Sequence, residues 1–519
     1  MPRLSGHVNV EALSAQNREK ASAMGGGTPR PEIHSLAFAS RFTDKDIPKY
    51  EMPQSSTPAN AVYQLIKDEL ELEGKPIQNM ATFVATWMEP EAEKLMTENL
   101  GKNFVDKEEY PQTVEVQDRC VNMLARLYNA PKDGKPTGTS CVGSSEAIML
   151  GCLAAKFRWR KKMQALGKPT DKPNIVFGTN AHVVVKKFAR YFDVEPRAVP
   201  IHDTTHYMME AKEAVSYVDE NTICVFSILG STFTGHFEKV KLLSRELDIL
   251  AKEKGIDVDI HVDAASGGFV APFVFPYLEW DFRVPRVKSI NVSGHKYGLV
   301  YPGIGWIVWR DEKDLPEDLV FHLDYLGGDE PTFNLNFSRS SLGVLGQYYN
   351  FLRLGREGYS DVITSCLEGA RFLSFLLKDT GYFEILSEIH RQYNEGLPLV
   401  CLRLKAIEGG KLNFDEYDIM HTLRQKGWVV PAYKLPPALE TKTILRIVVR
   451  EIHTKSILEK LGSDLVTAYE ALYERHGAAS PTAPRSAPAM ETKSAERKEE
   501  TDEEKAKGKV DEETFTSVC

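Results

Sequence analysis

A chain of 519 residues with 42% hydrophobic composition carries enough apolar material for a large core and more than one domain. Its formal net charge of -9 argues against a general nucleic-acid binder, because binding a polyanion rests on a clustered basic surface and none stands out here. The seven cysteines, Cys120, Cys141, Cys152, Cys224, Cys366, Cys401 and Cys519, are scattered without CxxC spacing, which fits a reducing compartment better than a metal site or disulfide framework.

In chain order, residues 1–33 are polar and broken by Gly and Pro, so they are expected to be a disordered arm, the first part of an N-terminal segment ending at 77. They contain no apolar core of a secretory signal, and no run in the chain approaches the length needed to cross a bilayer, so a cytoplasmic protein is expected. NIVFG (174–178), TICVFSIL (222–229), DIHVDAA (259–265), SINVSG (289–294) and GIGWIVW (303–309) are β-rich runs bounded by Gly or polar residues, and predict strands. Between them, HVVVKKFARYF (182–192) and EKVKLLSRELDILAKEKG (238–255) carry apolar residues at helical spacing. This alternation predicts an α/β domain over 78–358, a largely parallel sheet covered by helices on both faces. Beyond Ser338 a long helical pattern leads into a smaller C-terminal domain, 359–475. From 476 to 519 the chain is Pro/Ala/Ser-rich and then densely charged, and is expected to be disordered.

Ligands of such sheets sit at the carboxyl ends of the strands, and three features lie there. Gly143, Ser144 and Ser145 precede the helical run EAIMLGCLAAKF, where a serine N-cap and free N–H groups suit a phosphate, or serve simple capping. Asp263 follows the apolar IHV, as a functional carboxylate or a turn aspartate. Lys296, in the SGHK stretch after another strand, is either a surface lysine or a Schiff-base amine made nucleophilic by desolvation beside His295. A phosphate cradle, a carboxylate after a later strand and an amine one strand further on are the three attachments that pyridoxal 5'-phosphate requires.

ATFVATW (81–87), KNFVDKEEYPQT (102–113), GTSCVGSSEAIMLG (138–151), KFARYFDVE (187–195), HVDAASGGFVAPF (261–273), VSGHKYGLVYPGIGW (292–306) and NFSRS (336–340), taken together in this order, resemble the pyridoxal-phosphate-dependent glutamate decarboxylases of bacteria, plants and fungi, over about residues 35–475. The resemblance implies a fold type I enzyme: a mostly parallel seven-stranded sheet in the large domain and a smaller C-terminal α+β domain. It implies decarboxylation of L-glutamate to 4-aminobutanoate and CO2. Lys296 corresponds to the lysine that holds the cofactor covalently, with room for the ring left by the small residues around it. His295, Ser144 and Ser145 correspond to the phosphate contacts, Asp263 to the partner of the ring nitrogen, and Ala265 and His182 to the two ring faces. His182 departs from the glutamine usual in this family. Thr232 corresponds to a further cofactor contact, a turn residue being its alternative. Thr82, Phe83, Asn103 and Asp106 correspond to the pocket for the distal carboxylate of glutamate, and Arg446 to the receiver of the α-carboxylate. Asp106 facing a carboxylate implies a shared proton and activity favoured by mildly acidic pH, unless Asp106 is a helix cap or solvated turn. Arg446 is otherwise a surface ion pair. Tyr325, in FHLDYLGGDEP, corresponds to a mobile loop and to the proton donor. Ser338 corresponds to a residue that reaches the phosphate of a neighbouring subunit, which implies at least a homodimer.

The nearest rival is a decarboxylase of an aromatic amino acid or histidine, separated by the residues from Thr82 to Asp106. A catalytically silent scaffold with a recruiting tail is a more distant one. The tail has no tryptophan and mixed charge, which makes calmodulin binding doubtful, and neither end resembles the hexamer-forming and site-closing ends of bacterial members.

Overall fold

Continuous apolar runs form strands when both faces of a sheet are covered, and this is what the computed structural model contains. It describes residues 9, 12–14, 16, 17, 20, 48–323, 330–392, 394–406 and 411–479. The expectations of a disordered tail from 476 and of a mobile loop around Tyr325 lie largely or wholly outside the described residues, as does most of the expected arm. The chain divides into two compact units, Met1–Lys75 and Pro76–Cys519. The first contains helix α1 (Ala59–Leu70).

The second unit holds both main sheets. Strands β1 (Thr137–Cys141), β2 (Asn174–Gly178), β3 (Glu195–Val199), β4 (Thr222–Ile228), β5 (Ile260–Asp263), β6 (Val287–Ser293) and β7 (Gly305–Trp309) form a seven-stranded sheet in the order β1-β7-β6-β5-β4-β2-β3. β3, β2, β4, β5 and β6 pair in parallel, while β7 runs antiparallel to both its neighbours. Helices include α2 (Pro111–Leu127), α3 (Ser144–Ala165), α4 (Val183–Tyr191) and α5 (Val240–Lys254). β2 shows why both faces need cover. Ile175 and Phe177 join Val184, Val185 and Phe188 of α4 in one apolar layer, and Val176 between them joins the layer of Leu243 and Leu247 of α5.

All five strand runs and both helical runs read from the sequence are present. β1 and β3 were not among them, and they are the two edges of the sheet. TGTSC is small and polar and EPRAV carries a proline and two charged residues, so neither has the apolar signature of a strand buried on both faces.

A second, fully antiparallel sheet follows, with β8 (Phe383–Ile385), β9 (Leu399–Leu404), β10 (Ala432–Lys434) and β11 (Thr443–Val448) in the order β8-β9-β11-β10. It is accompanied by α6 (Leu342–Asp379), α7 (Glu416–Gln425) and α8 (Lys455–His476). α6 breaks at Gly355, whose φ of 58° and ψ of -163° are not helical. The domain boundary expected after residue 358 falls inside this helix. Among the described residues no helix is long and apolar enough to cross a membrane. The six described cysteines are all buried and free.

One close approach joins sheet and site. A Cβ at Gly305 of β7 would lie 2.4 Å from the carbonyl carbon of Gly143 and 2.7 Å from the Ser144 nitrogen, so only glycine lets β7 pass the start of α3. Gly305→Ala is expected to lower stability by about 1–3 kcal/mol, the usual cost of forcing atoms into a packed position. The measurement is the denaturation midpoint in urea, which should fall with no change in slope.

Candidate active site

The carboxyl ends of the parallel strands open on a cavity of about 280 Å³. Its lining includes Ser144, Ser145, His182, Thr232, Asp263, Ala265, His295 and Lys296, so eight of the residues singled out from the sequence converge.

At one wall, α3 begins with Gly143 as its N-cap and Ser144 and Ser145 as its first helical residues. The expected serine cap is therefore not made, and Ser144 Oγ instead lies 2.7 Å from Ser293 Oγ. The first N–H groups of a helix have no partner within it, and the helix dipole adds positive potential there, so this end of the cavity suits an anion. His295 borders the same end: a Cβ at Gly143 would lie 3.4 Å from His295 Cε1. Burial, and then the charge of Lys296, push the His295 pKa down to about 4, so the ring is neutral near pH 7. Its Nδ1 is buried without a hydrogen-bond partner.

β5 ends at the cavity in Asp263, which is 6% exposed. Its Oδ1 accepts from Ala265 N at 3.0 Å and from Asn291 Nδ2 at 2.9 Å. Lys296 follows the end of β6, is half-buried, and donates from Nζ to Ser266 Oγ at 3.3 Å. Of the small residues expected to leave room for a ring, Ser293 lines the cavity, and the two glycines also meet a local packing need. A Cβ at Gly294 would meet Gln347 Oε1 at 2.4 Å, and one at Gly298 would meet the Gly294 carbonyl at 2.4 Å, so they permit a tight turn and its packing. His182 caps α4, its Nδ1 accepting from Val184 N at 3.3 Å.

The residues expected for substrate do not line this cavity. Phe83 is buried, and its ring centroid lies 5.4 Å from Lys296 Nζ and 5.2 Å from Arg446 Cζ. Arg446, on β11, is fully buried and donates to the carbonyls of Thr232 (2.8 Å) and Ala81, which rules out the surface ion pair. Thr82 Oγ1 accepts from Val84 N at 3.0 Å. Asn103 and Asp106 lie elsewhere. Asp106 Oδ1 accepts from Glu109 N at 2.9 Å, a turn-capping contact. Asn103 is exposed and meets the 338–340 segment, with Nδ2 3.3 Å from Ser338 Oγ and Oδ1 accepting from Arg339 N at 3.2 Å. Tyr325 lies outside the described residues. Ser266, Ser293, Asn180 and Asn291 border or support the cavity and were not singled out. Ser266 had a signal, since it directly follows Ala265 in the DAAS run, but only the turn brings it to Lys296.

An anion seat at a helix start, a buried carboxylate with one oxygen committed, and an amine beside a hydroxyl together define a site for a phosphorylated aldehyde with a basic ring nitrogen. A model of the pyridoxal-dependent decarboxylase conserved domain matches residues 48–405, and the chain belongs to this family. Among its relatives, glutamate decarboxylase of Petunia hybrida is 54% identical over 435 residues, spanning 83% of this chain and 85% of that protein. Glutamate decarboxylase beta of Listeria monocytogenes is 46% identical, spanning 85% and 93%. The solved structure of Lactobacillus brevis glutamate decarboxylase superimposes with a TM-score of 0.79 at 42% identity, covering 83% of this chain and 97% of that one. The residues present fit pyridoxal phosphate: the unpartnered His295 Nδ1 and the start of α3 suit its phosphate, Asp263 its ring nitrogen and Lys296 its aldehyde.

His295 titrates near 6.5 when unfolded and near 4 when folded, so the stability it contributes is present above pH 6.5 and is lost as pH falls through about 4. In urea melts of the protein without cofactor, the parent's stability relative to His295→Gln should therefore decline by about 2–3 kcal/mol between pH 7 and pH 4.

Proposed function

We propose that this protein decarboxylates L-glutamate to 4-aminobutanoate and CO2. The observation that carries the reading is its likeness to glutamate decarboxylases over most of its length, together with a cavity whose lining supplies each attachment the cofactor needs. Bound there, pyridoxal phosphate supplies an acceptor for the electron pair that the departing carboxylate leaves on the α-carbon.

The chain's own residues do the rest. Lys296 holds the aldehyde carbon covalently, Ser266 keeping its amine directed into the cavity. Asp263, with Oδ1 committed to Ala265 and Asn291, would present Oδ2 to the ring nitrogen. The start of α3, Ser145 and neutral His295 seat the phosphate, and Ala265 and His182 flank the ring. Arg446 serves the substrate α-carboxylate from behind Phe83, and Tyr325 delivers the proton to the α-carbon.

Asn103, Asp106 and Ser338 are outside the cavity of their own chain and close to each other, which supports their reaching the site of a second copy. Asn103 is bonded to Ser338, and Phe104 N donates to the Arg339 carbonyl at 2.8 Å, so the two segments move as one piece. The active form is then at least a homodimer, with Thr82 and Phe83 from one chain and Asn103 and Asp106 from the other around the distal carboxylate.

Purified protein with pyridoxal phosphate and a panel of amino acids should release 4-aminobutanoate from glutamate, identified by mass spectrometry. Release of an amine from an aromatic amino acid or histidine instead would overturn the substrate. Lys296→Ala should lose the borohydride-trapped pyridoxyl adduct, and Asp263→Ala should lower kcat by ~10²–10³-fold. Mixed refolding of Lys296→Ala with Asp106→Ala should restore activity that neither variant has alone; no restoration would overturn the shared site.

A further inference from the structure

Behind Asp263 lies a buried row of polar side chains of which the reading above uses only Asn291, as a partner of Asp263 Oδ1. The parallel register of β5 on β6 pairs His261 with Ser289 and Asp263 with Asn291. Because side chains alternate along a strand, the 261, 263, 289 and 291 positions all project on one face of the sheet. Ser289 Oγ lies 2.7 Å from His261 Nδ1, His261 Nε2 lies 2.9 Å from Asn291 Oδ1, and Asn291 Nδ2 lies 2.9 Å from Asp263 Oδ1. Ser289 and His261 are each 1% exposed and Asn291 is 0% exposed.

The donor and acceptor roles in this row follow from its end. An ionised carboxylate only accepts, so Asn291 must turn its NH2 to Asp263 and its carbonyl to His261. His261 must then carry its proton on Nε2, which leaves Nδ1 to accept from the Ser289 hydroxyl. Burial pushes the His261 pKa down to about 4, in keeping with a neutral ring holding one N–H. Every bond points the same way, toward Asp263.

The surroundings are shaped for this ring. A Cβ at Gly151 of α3 would lie 2.6 Å from His261 Cε1 and 2.8 Å from Nδ1, so the helix crosses the histidine only at a glycine. The Phe226 ring packs on the imidazole at 5.3 Å between centroids. A histidine kept at the cost of a glycine inside a helix is a poor choice for filling space alone.

We propose that Ser289, His261 and Asn291 form a one-directional hydrogen-bond relay that positions Asp263, so that its Oδ2 is presented to the ring nitrogen of the cofactor. These are positioning residues: none lines the cavity, and each acts through Asp263. The relay rests on the assignment of Asp263 to the cofactor ring, and it does not depend on which amino acid is decarboxylated.

The test is equilibrium binding, without turnover, of two probes to the full chain: pyridoxal phosphate, and its 1-deaza analogue, which has the same phosphate and aldehyde but carbon in place of the ring nitrogen. Asn291→Asp keeps the shape and replaces the donor facing Asp263 with an acceptor, so the two carboxyl groups must retain a proton between them. It should weaken pyridoxal phosphate by ~10-fold or more while changing the deaza analogue less than threefold. With ring-15N-labelled pyridoxal phosphate, the nitrogen signal should move toward the unprotonated position. His261→Leu, which removes the donor that fixes the Asn291 amide, should shift the two probes in the same unequal way, and His261→Gln, which restores an N–H, should recover the parent ratio. These two variants leave Asp263's own contacts in place and provide the answer should Asn291→Asp not fold. Equal weakening of both probes, or a parent-like ratio in Asn291→Asp and His261→Leu, overturns the relay. A parent chain that binds neither probe overturns the cofactor site as well, and a parent that binds both but spares glutamate overturns only the substrate.

Discussion

The parallel pairing of β5 with β6 is the constraint on which the site depends. It sets Asp263 opposite Asn291 and brings the turn after β6, with His295 and Lys296, to the same edge of the sheet. Both strands are buried through most of their length, so a slip of one residue would turn Asp263 into the opposite apolar layer and Val262 toward the carboxylate's partners. Hydrophobic burial on two faces thereby enforces the separation of amine and carboxylate, and no interaction within the cavity has to do so.

A second constraint comes from the antiparallel strand beside them. β7 runs opposite to β6 and pairs with β1, which delivers the chain to Gly143 and the start of α3. The clearance at Gly305 brings β7 close enough for that helix start to face the end of β6, where Ser144 meets Ser293. The anion seat, the amine and the carboxylate are thus held by the sheet's ladder bonds. The contribution of the second sheet is held differently. Arg446 comes from the second sheet and is locked to backbone carbonyls of Thr232 and Ala81, so the smaller sheet is tied to the loop after β4 by a buried guanidinium.

Legibility in the sequence followed burial. β2, β4, β5 and β6 are interior strands, and their largely apolar, β-branched runs could be read directly, whereas β1 and β3 sit at the edges and their polar composition hid them. The residues that line the cavity and were read from the sequence lie just after strands or near helix starts, where position along the chain predicts position in space. The residues that act from behind were not. His261 and Asn291 are interior strand positions that, read locally, are only polar interruptions in apolar runs, and the register that joins them is a pairing between strands separated by a helix and a long loop.

By itself the sequence determined the class of fold, the order of its main elements, the family and eight of the residues that meet in the cavity, because these depend on local periodicity and on motifs whose spacing is a local property. Tertiary structure alone decided that Gly143 rather than a serine caps α3, that Gly294 and Gly298 serve the turn, that Arg446 is buried behind Phe83, and that Asn103 and Asp106 stand apart beside Ser338. The packing of Gly294 on Gln347, of Arg446 on Thr232 and Ala81, and of Asn103 on Ser338 joins segments distant in the chain, set by strand register and by which volumes are already filled, and neither can be summed from one residue's neighbours in sequence.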